Sequence, residues 1–252
     1  MNKECFCEVD CDKKTDAAKF AIFAWEAGKI PRGLMQLETL RGNSTNPQTF
    51  DFPIIIERIP GACAETVIQN PSPLVLKSMI NRAQELQKMG IKGITTSCGF
   101  NAIFQKEISK TVKIPFFSSS LLQIPYIRAV YGNKRDIIIF TARKANLRQE
   151  HFFATGTTDM SNLHLYGMKE ESKEWLKMNT HFDANIDIEV LKKDFVRLAK
   201  KALNEHPDAV AFLFECTDMP PFSQLVRDTV GLPVYDFVTM TRYFYNAVCC
   251  AL

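Results

Sequence analysis

Short apolar runs alternate with segments of helical periodicity along most of the chain. The apolar runs predict buried strands over residues 52–59, Asp136–Thr141 and Ala209–Phe214. Apolar positions three or four residues apart predict helices over residues 73–89 and 188–203. This alternation is typical of an α/β fold with a mostly parallel sheet.

Several shorter segments are less regular, and the predictions for them are correspondingly local. Residues 16–27 are predicted as a short helix and residues 33–38 as a strand. Residues 41–50 form a polar stretch that predicts a loop. A further strand is expected at Leu163–Gly167, and residues 237–251 are predicted as a closing helix.

Two of the apolar segments end in a cysteine and continue on the same plan. Residues 94–98 read Ile-Thr-Thr-Ser-Cys, residues 212–216 read Phe-Leu-Phe-Glu-Cys, and a helix-like segment follows each. In both, a Thr-Val pair begins 13 residues after the cysteine and a proline stands 17 residues after it. This plan places Cys98 and Cys216 at the carboxyl ends of buried parallel strands, the edge at which ligands bind in open α/β sheets.

The predicted position of these two thiols indicates acid–base chemistry. The helix that follows each cysteine would lower the thiol pKa towards the thiolate, and its backbone N–H groups would bind a carboxylate. A thiolate on one face of a carbon could remove a proton while the opposite thiol returned one. Because side chains alternate along a strand, Glu215 is expected to point away from Cys216.

The repeat predicts two lobes that face each other across a cleft. The first lobe comprises residues 16–118 plus 232–252 and carries Cys98, and the second comprises residues 119–231 and carries Cys216. Residues 1–15 are predicted to be an N-terminal tail. The active site would lie between the lobes, with one thiol on each wall.

Composition and charge narrow the class of function. The chain has 252 residues, 46% of them hydrophobic and 23% charged, and a net charge of +3, which is ordinary for a globular protein. Without a dense stripe of Lys and Arg, no nucleic-acid partner is predicted. The apolar runs are far shorter than a membrane span, and the first residues have no apolar signal core, so a cytoplasmic protein is expected.

The remaining cysteines and the histidines form no recognisable metal motif. Three cysteines cluster near the start of the chain, two lie in an apolar C-terminal segment and one follows a Pro-Gly-Ala turn: Cys5, Cys7, Cys11, Cys249, Cys250 and Cys63. The four histidines, all in the predicted second lobe, are His151, His164, His181 and His206. Zinc sites need ligands at familiar spacings, and nucleotides need a glycine-rich loop. Neither pattern is present, so no metal and no nucleotide cofactor is predicted.

Three motifs connect the chain with a known group of enzymes. Residues 96–100 read Thr-Ser-Cys-Gly-Phe, residues 215–221 read Glu-Cys-Thr-Asp-Met-Pro-Pro, and residues 46–53 read Asn-Pro-Gln-Thr-Phe-Asp-Phe-Pro. Together they resemble the aspartate/glutamate racemase superfamily, which includes aspartate, glutamate and hydantoin racemases, maleate isomerases and arylmalonate decarboxylases.

The resemblance implies two pseudo-symmetric, flavodoxin-like lobes, an active site in the interlobe cleft, no cofactor and catalysis by paired cysteines. Cys98 matches the first cysteine of the superfamily and Cys216 matches the second. Thr217 matches a residue that helps to hold the substrate carboxylate. Asp218 falls beside the second thiol, and Asn43 stands where many relatives carry an acid, so both are candidates for tuning a thiol.

Further substrate contacts are predicted from the loops around these motifs. The candidates are Asn46, Thr49, Gly99, Ser119 and Ser120. The alternative for the hydroxyl side chains is that they cap helices or satisfy backbone groups. For Asp218 the alternative is a helix N-cap, which contributes about 1 kcal/mol.

The function expected from these features is a cofactor-independent racemase or epimerase of a small carboxylate such as an amino acid. Proton transfer between Cys98 and Cys216 would invert the carbon, which makes the protein an isomerase that does not use pyridoxal phosphate. Alternatives in the same superfamily are a maleate-type isomerase and an arylmalonate-type decarboxylase. A carboxylate-binding paralogue without catalysis is a further alternative, and a homodimer is compatible with the resemblance.

Overall fold

The structure, a computed structural model, describes residues 18–26 and 28–249. The predicted N-terminal tail with Cys5, Cys7 and Cys11 lies outside the described residues, as does Cys250. Within the described part of the chain, no helix is long and apolar enough to cross a membrane.

The described strands form two four-stranded parallel sheets. The first sheet has the order β2-β1-β3-β4 and the second the order β6-β5-β7-β8, so the two repeat one topology. The strands are β1 Phe20–Trp25, β2 Ile54–Ile59, β3 Gly93–Thr96, β4 Phe116–Phe117, β5 Asp136–Thr141, β6 Leu163–Gly167, β7 Ala209–Phe214 and β8 Val234–Tyr235. The predicted α/β class, with two lobes of parallel strands, is confirmed.

Helices connect the parallel strands, as crossover connections require. The α-helices are α1 Arg32–Glu38, α2 Pro73–Lys88, α3 Gln105–Ser109, α4 Gln123–Tyr131, α5 Gln149–Ala154, α6 Met168–Glu171, α7 Lys173–Thr180, α8 Ile188–Glu205, α9 Ser223–Val230 and α10 Phe237–Cys249. Shorter turns are the 3₁₀ helices Pro47–Thr49, Gly99–Phe104, Ser120–Leu122, Lys144–Asn146 and Pro220–Phe222, and the π-helical turn Glu65–Gln69.

Side-chain caps begin the two longest helices. Ser72 accepts a hydrogen bond from Leu74 N at the start of α2, and Pro73 occupies its first turn. Asp187 accepts hydrogen bonds from the backbone N–H groups of Glu189 and Val190 at the start of α8. Such caps satisfy backbone donors that have no partner within the helix.

Two local predictions are wrong, both near the start of the chain. The segment predicted as a helix over residues 16–27 contains β1, and the segment predicted as a strand over residues 33–38 lies in α1. Strand β1 is buried from Phe20 to Ala24, so it lacks the alternation of polar and apolar positions that marks a half-exposed strand. Helix α1 has only Gly33 and Leu37 buried, which is too few positions to give a helical period.

The hydrophobic core joins the two lobes. One cluster packs residues of the first sheet, such as Phe23 and Ile94, with Ile139 and Leu213 of the second sheet. The opposite face of the second sheet packs against α8. Helix α10 returns to cover β1 through Phe237, while β8 pairs with β7. The chain therefore crosses back to the first sheet after β8, a few residues later than the predicted boundary at residue 232.

Phe140 is at the centre of the second lobe. Its ring is fully buried and stacks on Phe214 at a centroid distance of 5.4 Å, with Phe212 at 5.5 Å and Phe195 at 6.4 Å. We expect Phe140→Ala to lower the free energy of unfolding by about 3–5 kcal/mol, because it removes a buried ring and leaves a cavity. Urea unfolding followed by circular dichroism measures this loss. Tyr243→Ala is the control, since Tyr243 is 67% exposed; equal losses in the two variants would contradict the prediction.

Candidate active site

The two cysteines predicted from the repeat lie at the carboxyl ends of equivalent strands. Cys98 follows β3 and is buried, and Cys216 follows β7 and is partly buried. Backbone hydrogen bonds hold the residue before each cysteine to the neighbouring strand, from Ser97 N to Phe23 O and from Glu215 N to Phe140 O, both at 2.8 Å. Both thiols line one cleft between the two sheets.

Thr217 links the two cysteine segments across the cleft. Its hydroxyl donates a hydrogen bond to the carbonyl oxygen of Ser97 at 2.5 Å. Its own carbonyl accepts a hydrogen bond from Ser44 N at 3.3 Å. Thr217 lines the cleft, as do Gly99 and Asp218. Its hydroxyl therefore sets the relative position of the two segments in addition to any contact with substrate.

A hydrogen-bonded chain connects Cys216 with two polar side chains. Cys216 Sγ donates to Asp218 Oδ2 at 3.7 Å, and Asn43 Nδ2 donates to Asp218 Oδ1 at 2.8 Å. The pKa of Asp218 rises to about 6 because the carboxyl is buried, although the hydrogen bond from Asn43 acts in the opposite direction. The two residues proposed from sequence for thiol tuning, Asn43 and Asp218, are thus brought together at the second thiol.

Glu215 is the cleft residue that the sequence analysis missed. Its side chain is fully buried, and its Oε2 accepts a hydrogen bond from Thr141 Oγ1 at 2.7 Å. Its Oε1 has no hydrogen-bond partner among the described residues. A Cβ added at Gly99 would lie 2.2 Å from Glu215 Oε1, so this carboxyl packs directly on the backbone after Cys98. Burial raises its pKa to about 7.

The thiols themselves are less acidic than the sequence analysis predicts. Burial raises the pKa of Cys98, and the charge of Glu215 raises it further. Burial and the charge of Asp218 likewise raise the pKa of Cys216 well above its usual value. The predicted lowering by a helix N-terminus is outweighed by burial at Cys98, which the 3₁₀ helix Gly99–Phe104 follows. The backbone N–H groups of Phe100 and Asn101 still favour the Cys98 thiolate, but burial has the larger effect.

Four of the predicted substrate contacts lie outside the cleft lining: Asn46, Thr49, Ser119 and Ser120. Asn46 caps the helix Pro47–Thr49, and Ser119 caps the helix Ser120–Leu122. Thr49 Oγ1 donates to the carbonyl of Asn43 at 2.6 Å and accepts from Gly42 N at 2.9 Å. These bonds shape the loop that carries Asn43, and a direct contact of these four side chains with substrate stays a prediction.

The wider cleft combines cationic, acidic and aromatic side chains. The cleft is lined by four cationic side chains, one acidic side chain and four aromatic rings: Lys29, Arg58, Arg143 and Lys169; Glu38; and Trp25, Phe100, Trp175 and Phe182. Lys29 pairs with Asp183 at 2.9 Å, and Arg58 donates to the carbonyl of Trp25 at 2.7 Å. A cleft of this composition can hold a small molecule that carries both a carboxylate and a positive charge.

Sequence comparison relates the chain to curated enzymes. It is 30% identical to a dimethylsulfoniopropionate lyase from Durusdinium sp. clade D, over 90% of this chain and 82% of that protein. It is 26% identical to dimethylsulfoniopropionate lyase 7 of Emiliania huxleyi over 82% of this chain, but spans only 62% of that longer protein. No protein-family model matches the chain.

Comparison with solved structures identifies the same fold in enzymes of different reactions. Picrophilus torridus aspartate racemase matches with a TM-score of 0.54 and 16% identity, over 93% of this chain and 96% of that chain. Allantoin racemase from Pseudomonas fluorescens matches with a TM-score of 0.56 and 12% identity, over 90% and 89% of the two chains. An arylmalonate decarboxylase matches with a TM-score of 0.55 and 14% identity, over 91% of each chain. The resemblance to the aspartate/glutamate racemase superfamily is therefore confirmed at the level of the fold.

The raised pKa of Glu215 makes a prediction about stability against pH. Its pKa rises from 4.5 to about 7 on folding, so its contribution to stability is fully present below pH 4.5 and is lost as pH rises through 7. Gln lacks this titration. Relative to wild type, we expect Glu215→Gln to gain about 3 kcal/mol of unfolding free energy between pH 4.5 and pH 8.

Urea unfolding of wild type and Glu215→Gln across this pH range measures the difference. Glu189→Gln is the matched control, because the Glu189 side chain is 73% exposed. A difference between wild type and Glu215→Gln that stays constant with pH would contradict the prediction.

Proposed function

Because this chain belongs to the dimethylsulfoniopropionate lyase family, we propose that it cleaves dimethylsulfoniopropionate, or a closely similar β-sulfonio carboxylate, by elimination. The observation that carries the proposal is the similarity to the Durusdinium lyase, which extends over 90% of this chain. The pair of thiols and the buried carboxyls of the cleft supply a chemical rationale for it.

The sequence-based prediction of an amino-acid racemase, and with it the isomerase class, is wrong. The curated relatives are lyases, which break a bond without inverting a carbon. The racemases among the structural neighbours share 12% and 16% identity with this chain, which supports a common fold only.

The proposed reaction begins with the same step as racemisation. A base removes a proton from the carbon next to the carboxylate. The electron pair of that C–H bond forms a carbon–carbon double bond, and the bond from the β-carbon to sulfur breaks with its electron pair leaving on sulfur. The products are dimethyl sulfide, acrylate and a proton. Only one base is needed, whereas racemisation needs a base and an acid on opposite faces.

Cys216 is the proposed base. The thiol of Cys216 is hydrogen-bonded to Asp218, whose carboxylate can accept the thiol proton. Asn43 holds that carboxylate in position. A thiol of raised pKa is rarely ionised but is a strong base once ionised, which suits removal of a weakly acidic C–H proton. Cys98 lines the same cleft, and no hydrogen bond joins its thiol to a carboxyl among the described residues.

The positive sulfonium group of the substrate completes this electrostatic arrangement. Burial and neighbouring carboxylates make thiolate formation costly, and a cation brought into the cleft lowers that cost. Asp218, Glu215 and the Trp175 ring offer the negative charge and the aromatic face that an onium group prefers. Lys169 and Arg143 are the proposed partners of the substrate carboxylate.

Serine replacements test the proposed roles of the two thiols. We expect Cys216→Ser to lower the rate of dimethyl sulfide release by more than about 10³-fold, because a hydroxyl is a far weaker acid than a thiol and is not ionised by Asp218. Cys98→Ser should cause a smaller loss. Gas chromatography of the headspace above purified protein and dimethylsulfoniopropionate measures the rate.

Cys249→Ser is the control for the loss of a cysteine outside the cleft, since Cys249 ends helix α10 and does not line the cleft. A larger loss in Cys98→Ser than in Cys216→Ser would give the base role to Cys98. Absence of dimethyl sulfide with wild-type protein whose thiols are reduced would overturn the proposed substrate.

Asp218→Asn separates base strength from thiol reactivity. Removing the carboxylate lowers the pKa of Cys216, so alkylation of this thiol by iodoacetamide at pH 8 should become faster. The rate of dimethyl sulfide release should fall by about 100-fold or more, because the Cys216 thiolate is a weaker base and the acceptor of its proton is lost. Mass spectrometry of the modified peptide and headspace analysis measure the two rates. Alkylation that does not become faster would contradict the proposed effect of Asp218 on Cys216, and dimethyl sulfide release that does not fall would contradict its proposed role in the reaction.

A further inference from the structure

A second cluster of chemically active side chains lies in the second lobe, at the sheet edge opposite the cleft. Asp136 begins β5, His164 is the second residue of β6, and His206 follows α8 just before β7. One ligand atom from each lies within 4.8 Å of the others. From this convergence we propose that Asp136, His164 and His206 bind a divalent transition metal ion, with zinc as the reference ion.

The geometry of the three side chains supports a shared ion. His164 Nε2 lies 3.1 Å from Asp136 Oδ1, close to the spacing of about 3.3 Å between ligand atoms on tetrahedral zinc. The rings of His164 and His206 stack with centroids 3.4 Å apart and planes inclined by 14°. To bind one ion, the two imidazoles would turn out of this parallel stack so that a nitrogen of each faces the ion, with Asp136 as third ligand and water in the open position.

The polar atoms of the cluster already contact one another. His164 Nε2 is buried and lies 3.1 Å from Asp136 Oδ1, a contact that is an ion pair when the imidazole is protonated. Asp136 Oδ1 accepts a hydrogen bond from Asn162 Nδ2 at 2.7 Å, which fixes the orientation of the carboxylate. Such an outer partner is what holds a metal-binding carboxylate in place in known sites.

The surroundings favour a cation that arrives from solution. The side chains of His164 and Asp136 remain 25% and 18% exposed. The adjoining groove is lined by three glutamates and two lysines: Glu170, Glu171, Glu205, Lys144 and Lys201. With Asp136 added, negative charges outnumber positive ones. Two imidazoles and one carboxylate form a ligand set for zinc and neighbouring ions, whereas magnesium and calcium prefer oxygen ligands alone.

The proposed role of the ion is structural, and it is independent of the proposed lyase reaction. Strand β5 runs from Asp136 at this site to Thr141, whose hydroxyl binds Glu215 in the cleft. At about 3.3 Å per residue, the two ends are about 17 Å apart. An ion at the amino edge would tie together the beginnings of β5, β6 and β7 without touching the reacting thiols.

Zinc titration of the full chain tests the proposal. Isothermal calorimetry with Zn²⁺ alone should detect one equivalent that disappears in His164→Ala and in His206→Ala, each weakening that equivalent by more than about 100-fold. His181→Ala is the matched control, because His181 is an exposed histidine of the same lobe. Zinc at about 100 times its Kd should also raise the folded-to-unfolded ratio about 100-fold in wild type and not in the two variants.

Cysteines can also bind zinc, so Co²⁺ is used to distinguish a cysteine site from the proposed site at Asp136, His164 and His206. Co²⁺ bound at the proposed site should lack the sulfur-to-metal charge-transfer band that thiolate ligands produce. Sulfide release in metal-free buffer should be equal in wild type and both histidine variants, which confirms that they are folded. Absence of a histidine-dependent equivalent, or a charge-transfer band on that equivalent, would overturn the proposal.

Discussion

The hydrogen bond from Thr217 Oγ1 to the carbonyl of Ser97, at 2.5 Å, is the contact on which the candidate active site depends. It joins the residue after Cys216 to the residue before Cys98, so it spans the two lobes at the point where both thiols emerge. The repeated topology of the two sheets delivers each cysteine to the carboxyl edge of a strand. Packing in the shared core holds the two edges close together, and the hydrogen bond of Thr217 fixes their relative position.

This close approach has an electrostatic consequence. It buries Glu215 against Gly99 and Asp218 against Asn43, which places two carboxyls beside two thiols in a region with little water. Burial raises the pKa of all four groups and repulsion by nearby carboxylates raises it further, so each group keeps its proton to a higher pH than an exposed group of the same kind would. A neutral or anionic substrate would leave this repulsion in place. An onium substrate would relieve it, which is a physical argument for the proposed action on a sulfonium compound.

The fold could largely be predicted from sequence, because the buried strands before Cys98 and Cys216 share both a pattern and a spacing. Strand β1 could not, since a fully buried strand has no alternation to distinguish it from a buried helix.

The position of Glu215 could not be predicted, because the alternation of side chains along a strand does not hold beyond Phe214, where β7 ends. The direction of the thiol pKa shifts depends on burial and on that same carboxyl, so it could not be derived from the position of a helix. The reaction class could not be derived either, because elimination and racemisation begin with the same proton transfer on the same fold.

The second lobe uses the two edges of one sheet in different ways. At the carboxyl edge, strand ends present buried thiols and carboxyls whose charged forms are costly, and the proposed elimination depends on that cost. At the amino edge, Asp136, His164 and His206 come from segments far apart in the sequence, so only the parallel register of β5, β6 and β7 brings them together. Strand β5 connects the edges through four consecutive buried apolar residues, Ile137 to Phe140. A site that orders the amino edge can therefore stabilise the lobe without changing the proton affinity of the thiols.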